Sequence, residues 1–472
     1  MNTPGNALRP AIARAVTGAP LLPTIVVAYA LALIVYLPVE PALIGGLPST
    51  AYWIVRLVPD GLVVGLAVAV VLFGDRTARS TPVRLLWAVG AVCAVLVAAN
   101  YVRGVSVADS FNAIRLIVRY LVLGLLVWWA LLGRTGVGPL VLRAVFAAGL
   151  VQVVIAAIQI VTRILPSVGN ATPFDPSALL FIDGTLGRYD RLGLLLMTVV
   201  IALMATGDLA SRRRYAFIAI CMVLLFLTTS RQAMIGLALA GGLLLVFPGA
   251  EIRRRALAFG LAALSVLLVF AIPTRPPPVL SQDPDTGAIQ APSPTSPSAP
   301  TTGKGEVKLS VDPNLNFRLF YNLTLAPWAA ATEPLLGFGP LQQVADQPDP
   351  RLVARFEAAG MPWSWARLFT NDSNYASLVV QFGVIAPSLF LLLILGVAAR
   401  VALKATQPGG AFARFAVLNA AAVLVAAWFG PAFEIRMIAI IFWVALMAAI
   451  AMRPGLMQRA DGLRPIETTP TG

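Results

Sequence analysis

Long apolar runs constrain this chain more than any other feature of its sequence. Such runs, of sixteen or more residues, suit helices that cross a bilayer core. A composition of 58% hydrophobic and 12% charged residues lies outside the range of soluble globular domains. We therefore predict an all-α membrane protein with about twelve transmembrane helices, near 21–38, 57–74, 83–101, 111–132, 141–162, 192–207, 215–229, 232–247, 256–272, 374–399, 412–429 and 435–452.

Positive charge is placed on alternate connections between these runs. With the N-terminus cytoplasmic, the inner segments carry 19 basic residues against five acidic ones, and the rest of the chain carries 16 of each. The whole formal net charge of +14 therefore lies on one side, which is the positive-inside pattern. We expect a bacterial inner (plasma) membrane protein with both termini cytoplasmic. Nucleic-acid binding is excluded because it needs basic residues clustered on a folded domain.

The sequence contains no histidine, and its two cysteines, Cys93 and Cys221, lie within apolar runs. This excludes His-dependent triads and His-containing metal sites. The sequence also lacks a P-loop motif, and its cytoplasmic connections are too short for a nucleotide-binding domain. We therefore expect chemistry without metal or cofactor, driven by a bond in the substrate itself.

A long extracytoplasmic loop precedes the tenth span. Its first part has nine prolines in thirty residues and is predicted to be flexible. Its second part is predicted to be a helical cap, because Asp312-Pro313 and Asp349-Pro350 are helix-start signals. The predicted organisation is transmembrane helices 1–9 in 1–272, the loop in 273–373 (273–302 flexible, 312–370 helical), helices 10–12 in 374–452 and a cytoplasmic tail in 453–472.

Three ionisable residues at the outer ends of spans are candidates for a site. Arg231 opens a span after a connection of about three residues, so it is either an interfacial arginine or an anion ligand. Arg318 lies among apolar residues of the predicted loop helix. It is either a site residue that these neighbours keep from solvent or a solvated residue on the helix surface. Asp372 precedes the tenth span, where it either caps the helix or serves as a general base.

A second group of charges lies deeper. Arg115 and Arg119 are spaced i,i+4 and share one helix face, where like charges repel unless an anion or an acid lies between them. The open alternatives are substrate binding and structural pairing with Asp190 or Asp183. Arg188, Asp190 and Arg191 are predicted to lie at the matching depth of another span, and we group all five with the substrate-binding candidates.

Together these charges indicate a site in the outer leaflet for a lipid-linked phosphate or pyrophosphate. Four segments carry a family resemblance: TTSRQAMIGLALAGG, NFRLFYNLTLAPWAAATEPLLGFGP with a turn at Pro334, Gly337 and Gly339, NDSNYASLVVQFGVIAPSLF, and GRYDRLGLLLM. In their order and in the position of the large loop, they resemble the O-antigen ligase and O-antigen polymerase superfamily of bacterial polytopic membrane glycosyltransferases.

The resemblance implies roles for individual residues. Arg231 and Arg318 would hold the pyrophosphate of a polyprenyl-linked glycan, so we expect their side chains to approach one another. The ligases have a histidine in the segment that starts the tenth span, taken as the base, and here that segment reads NDSN. Asp372 is the natural substitute, which favours a polymerase over a ligase.

The sequence thus predicts a metal-independent glycosyltransferase that moves glycan from a polyprenyl-pyrophosphate donor onto an acceptor sugar hydroxyl at the outer face. A transporter or flippase for an anionic or lipid-linked substrate is the alternative, although its site would lie nearer the membrane midplane. A non-catalytic partner in polysaccharide assembly is a third reading.

Replacing Asp372 by Asn distinguishes a helix-capping role of this residue from a catalytic role of its carboxylate. Asn caps a helix about as well as Asp, so a capping role predicts almost unchanged transfer. If the carboxylate deprotonates or orients the acceptor, transfer should fall about a hundredfold or more. The measurement is lengthening of a polyprenyl-linked glycan by purified protein, with chelator and without nucleotide.

Overall fold

A computed structural model describes residues 21–44, 47–73, 80–132, 137–162, 182, 184–186, 189–206, 212–247, 252–271, 281–282, 289–290, 318–340, 349–359, 373–407, 410–430 and 432–452. The described chain is helical apart from a two-residue antiparallel strand pair, Ser281–Gln282 with Ile289–Gln290. The rest of the Pro-rich segment 273–302, the helix start predicted at Asp312, and Asp183, Arg188 and Asp372 lie outside the described residues.

The helices of the first half are α1 (Leu21–Tyr36), α2 (Glu40–Ile44), α3 (Ser49–Phe73), α4 (Thr81–Val102), α5 (Val107–Leu131), α6 (Gly138–Thr162), α7 (Tyr189–Thr206), α8 (Arg212–Leu227), α9 (Arg231–Val246) and α10 (Ile252–Ala271). Those of the second half are a π-helical turn (Tyr321–Leu325), α11 (Ala326–Thr332), α12 (Pro350–Ala358), α13 (Asn374–Phe382), α14 (Ile385–Ala405), α15 (Ala411–Phe429) and α16 (Arg436–Ala451).

Six of the described helices, α3, α4, α5, α6, α14 and α15, are long and apolar enough to cross a membrane. Three shorter ones, α1, α9 and α16, are also apolar. Helix α16 lies at the centre, with every residue except Ile450 buried. By contrast, α4 and α14 expose most of their apolar windows. An apolar exposed surface on an apolar bundle is the arrangement expected of helices that face lipid.

Small residues let the central helices approach closely. A Cβ added at Gly124 of α5 would lie 3.0 Å from the Trp443 Cβ of α16. Likewise, a Cβ at Gly241 of α9 would lie 2.8 Å from the backbone oxygen of Ala258 in α10. Glycine and alanine at helix contacts are typical of membrane bundles, where packing rather than water drives association.

The predicted tenth span, 374–399, is two helices rather than one. Helix α13 ends at Gly383, which has a φ of 71°, and α14 begins two residues later. The backbone groups at this break are satisfied by the turn at residues 334–339. The Val384 N–H donates to the Pro334 carbonyl at 2.8 Å, and the Phe338 N–H donates to the Val380 carbonyl at 2.8 Å. A helix can break at membrane depth only where such partners exist.

Residues 318–340 and 349–359 of the loop are largely helical and pack on α13. Asp349 caps α12, its side chain accepting from the Arg351 N–H. Phe356 of α12 meets Phe320 edge-on, with ring centroids 5.4 Å apart. The same apolar cluster includes Ala376 and Val380 of α13. The cap is therefore packed directly on the helix that follows it.

Replacing Gly337 by Ala should weaken this junction. Gly337 has a φ of 62°, and an added Cβ would come within 2.6 Å of the backbone at Gln381 and Gly383. Both neighbours are backbone atoms, so they cannot rotate away, and we expect a loss of about 2 kcal/mol or more in stability. Thermal unfolding in detergent measures this change.

Gly396→Ala is the matched control. This glycine lies in α14, where nothing lies within 4 Å of an added Cβ, and alanine is the better helix former. Equal unfolding midpoints for the two variants would contradict the packed junction.

Candidate functional site

The connection between α15 and α16 is where the candidate segments meet. A Cβ at Gly430 would collide with the Gln232 side-chain oxygen, which places the start of α9 against this connection. The Trp428 carbonyl accepts from Asn322 Nδ2 at 3.5 Å, and the Phe433 N–H donates to Asn374 Oδ1 at 2.9 Å. The starts of α9 and α13 thus contact this connection, and Asn322 contacts the end of α15 immediately before it.

Arg231 is the first residue of α9 and follows a strained turn. Three residues join α8 to α9, and among them Thr229 has a φ of 53°. Among the described non-glycine residues, no other has a positive φ. A β-branched residue in this region costs free energy and persists only when its surroundings hold it. Such strain is common where a side chain must be aimed, here that of Arg231.

The turn before Arg231 also packs against α7. A Cβ at Gly193 would collide with the Cβ of Ser230, so the two helices touch one turn beyond Asp190. Asp190 is buried, and Arg191 donates from Nη1 to the Leu186 carbonyl at 3.2 Å. The predicted Arg188–Arg191 segment therefore ends beside the Arg231 turn, although Arg188 itself is outside the described range.

Arg318 precedes the π-helical turn. Asn322 Nδ2 donates to the Arg318 carbonyl at 3.0 Å, and Asn322 Oδ1 accepts from the Ser373 hydroxyl at 2.7 Å. Single π-helical turns inside α-helices occur frequently at functional sites. Here the turn aligns Asn322 so that one amide links the Arg318 helix, α13 and the Trp428 carbonyl.

Ser373, not Asp372, is the N-cap of α13. The Ser373 side chain accepts from the Ala376 N–H at 3.4 Å. The N-cap that the structure describes is therefore Ser373, and Asp372 lies outside the described residues. Asp372 immediately precedes this cap in the chain.

Glu434 contributes a carboxylate to the same place. Its Oε1 accepts from Asn374 Nδ2 at 3.2 Å. Burial raises the pKa of Glu434 to about 7, against an opposing effect of the Arg119 charge. At neutral pH this carboxyl is therefore close to half-ionised.

A buried ionic network lies directly beyond this connection. Arg436 Nη1 meets both carboxylate oxygens of Glu40, at 2.5 and 2.6 Å. Asp60 Oδ2 accepts from Arg115 at 2.8 Å and from Arg119 at 2.9 Å, and Asp60 Oδ1 is 3.7 Å from Arg436. These contacts join α2, α3, α5 and α16.

Arg115 and Arg119 are thus held together by Asp60. Pairing was one predicted alternative, but the sequence analysis named Asp190 and Asp183 as the acids. It missed Glu40, Asp60 and Arg436. The available signal was their position, since ionisable residues within or beside predicted spans are functional or structural candidates by default.

No protein-family model and no curated protein sequence matches this chain.

Arg436→Met should destabilise the bundle. The substitution removes the cation that pairs with Glu40. Glu40, Asp60 and Arg436 are each less than a tenth exposed, so water cannot replace the lost partner. An uncompensated buried carboxylate costs about 3–5 kcal/mol. Thermal unfolding should show a large loss, whereas the exposed Arg84→Met variant should unfold like the wild type. Similar behaviour of both variants would show that the network contributes little.

Proposed function

We propose that this chain is a polytopic bacterial inner-membrane glycosyltransferase. It transfers or polymerises glycan from a polyprenyl-pyrophosphate-linked donor onto an acceptor sugar hydroxyl, most readily that of another lipid-linked unit. The proposal rests on the resemblance to the O-antigen ligase and polymerase superfamily. The observation that carries it is the convergence of the Arg231, Arg318 and Asn374 segments on the α15–α16 connection.

The proposed topology has twelve spans with both termini cytoplasmic. The end of the bundle that holds the site is then extracytoplasmic. Basic residues at the opposite end cap helix C-termini, which supports this orientation. Lys404 donates to the carbonyls of Ala449, Ile450 and Met452, and Arg254 donates to the Ala205 carbonyl. Positive charge at that end agrees with a cytoplasmic face.

The reaction is a displacement at the anomeric carbon. The acceptor oxygen forms a bond to the anomeric carbon. The bond between that carbon and the phosphate oxygen breaks, and its electron pair leaves with the polyprenyl pyrophosphate. Arg231 and Arg318 stabilise the charge that develops on the pyrophosphate. Asp372 deprotonates or orients the acceptor hydroxyl. No metal is required, because the guanidinium groups supply the countercharge.

An apolar groove beside the site supports a lipid substrate. It lies between α4, α5, α13 and α14, has a volume of about 260 Å³, and is lined by apolar side chains that include Leu96, Ile117, Leu378 and Phe382. Ile114 in its wall directly precedes Arg115 in the chain. A hydrocarbon chain could lie in this groove against apolar side chains alone.

A transporter or flippase is the second candidate. One observation favours it, because the break between α13 and α14 resembles the discontinuous helices of transporters. In those proteins, however, the charged site lies near the midplane. Here Arg231 is the first residue of α9 and Asn374 is the first residue of α13, so these candidate segments lie at helix ends. Cleavage of the donor separates the two candidates.

Arg231→Lys and Arg318→Lys test the leaving-group site. Lysine keeps the charge but loses the planar fork that matches phosphate oxygens. Each variant should lower transfer about a hundredfold or more, the scale for losing one donor to a developing anion. Transfer is measured as lengthening of a synthetic polyprenyl-pyrophosphate oligosaccharide.

Arg84→Lys controls for a general change of arginine. Arg84 is exposed near the start of α4, far along the chain from either segment. Wild-type rates in Arg231→Lys and Arg318→Lys would show that neither arginine stabilises the leaving pyrophosphate.

A further inference from the structure

We infer that Glu434 is the general base that accepts the proton of the acceptor hydroxyl. This inference rests on the proposed glycosyl transfer and assigns its proton-transfer step. Nothing in the sequence motifs points to Glu434, since it lies in the connection between α15 and α16 and not in any of the four segments that carry the resemblance.

Glu434 lies where the candidate segments meet. Asn374 holds it from α13, and the orientation of that amide is determined by a second contact. The Phe433 N–H donates to Asn374 Oδ1 at 2.9 Å, so Asn374 must present its Nδ2 donor to Glu434 Oε1, at 3.2 Å. Ser373, the preceding residue, is bonded through Asn322 to the Arg318 carbonyl. The consecutive residues Ser373 and Asn374 therefore link the start of α13 to the Arg318 helix and to Glu434.

Glu434 differs from the two other carboxylates of this region. Glu40 is paired with Arg436, and Asp60 is paired with Arg115 and Arg119, at 2.5–2.9 Å. In the described part of the chain, Glu434 has no ion pair within 4 Å, and Asn374 is its hydrogen-bond donor. A carboxylate in an ion pair is a poor proton acceptor, because the neighbouring cation stabilises its ionised form. Glu434 is also partly exposed.

The electrostatic surroundings suit a base at neutral pH. Burial raises the pKa of Glu434 to about 7, and the facing charge is Arg119 of α5, which opposes the rise. Arg436, two residues further along its own chain, is directed to Glu40 and Asp60. From α13 the facing group is the neutral Asn374 amide. An ordinary aspartate has a pKa near 3.9 and is about a thousandfold weaker as a base.

The proton-transfer step balances without a co-reactant. The acceptor O–H bond breaks and its proton moves to a Glu434 carboxylate oxygen. The oxygen lone pair forms the new bond to the anomeric carbon, and the electrons of the broken glycosyl–phosphate bond leave on the pyrophosphate. Because the pKa is near 7, Glu434 then returns its proton to water without a second catalytic group.

The pH dependence of transfer tests this assignment. In the wild type, the single-turnover rate should rise about tenfold per pH unit below pH 7 and level off above it, because only the ionised carboxylate accepts a proton. Glu434→Gln keeps the shape and the acceptor for Asn374. It should lower the plateau rate about a hundredfold or more and abolish the rise through pH 7.

Asp372→Asn and Glu434→Asp serve as comparison variants. Asp372→Asn should lower the rate but keep the rise through pH 7, since the base remains. Glu434→Asp should keep a pH-dependent rise at a reduced rate, and it remains informative if the Gln variant does not fold. Thermal unfolding of each variant checks the fold.

The failures are distinguishable. If the wild type transfers no glycan at any pH, the proposed function is wrong. If the wild type transfers glycan and folded Glu434→Gln keeps both the rate and the rise, Glu434 is not the base. A rise that disappears in Asp372→Asn instead would assign the proton transfer to Asp372.

Discussion

The contact between Arg436 and Glu40 is the constraint on which the site depends. Removing two charges from water costs several kcal/mol each, and only close pairing with further hydrogen bonds offsets that cost. Arg436 also donates from Nε to the Tyr120 hydroxyl at 3.0 Å and from Nη2 to the Arg56 carbonyl at 3.2 Å. With four described partners, this guanidinium holds the first residue of α16 in one place.

The position of α16 determines the position of the connection before it. Gly430 and residues 432–435, the described part of this connection, join α15 to the anchored Arg436 and make buried contacts of their own. Gln232 and Asn374 contact this short segment at Gly430 and Phe433, and Asn322 contacts the Trp428 carbonyl near the end of α15. A rigid connection is a suitable platform for transition-state stabilisation, because donors that are already placed need no reorganisation during the reaction.

Sequence reasoning was most successful for the helices. Each predicted apolar run contains a helix, because burial in lipid requires continuous apolar segments whose hydrogen bonds are internal. It failed at Gly383, where the break depends on backbone partners in the turn at 334–339 and is not visible in hydropathy. It also missed the Glu40–Arg436 pair, whose residues are 396 positions apart. Periodicity describes one helix at a time and carries no information about such partners.

The most direct test of the account is a mass balance in proteoliposomes. Purified protein receives a synthetic polyprenyl-pyrophosphate oligosaccharide and an acceptor, with chelator and without nucleotide, and both lipid products are quantified by mass spectrometry. The account predicts one molecule of free polyprenyl pyrophosphate for every glycan joined to an acceptor. Movement of intact donor between leaflets with no release of polyprenyl pyrophosphate would contradict it and identify the chain as a carrier of lipid-linked substrate.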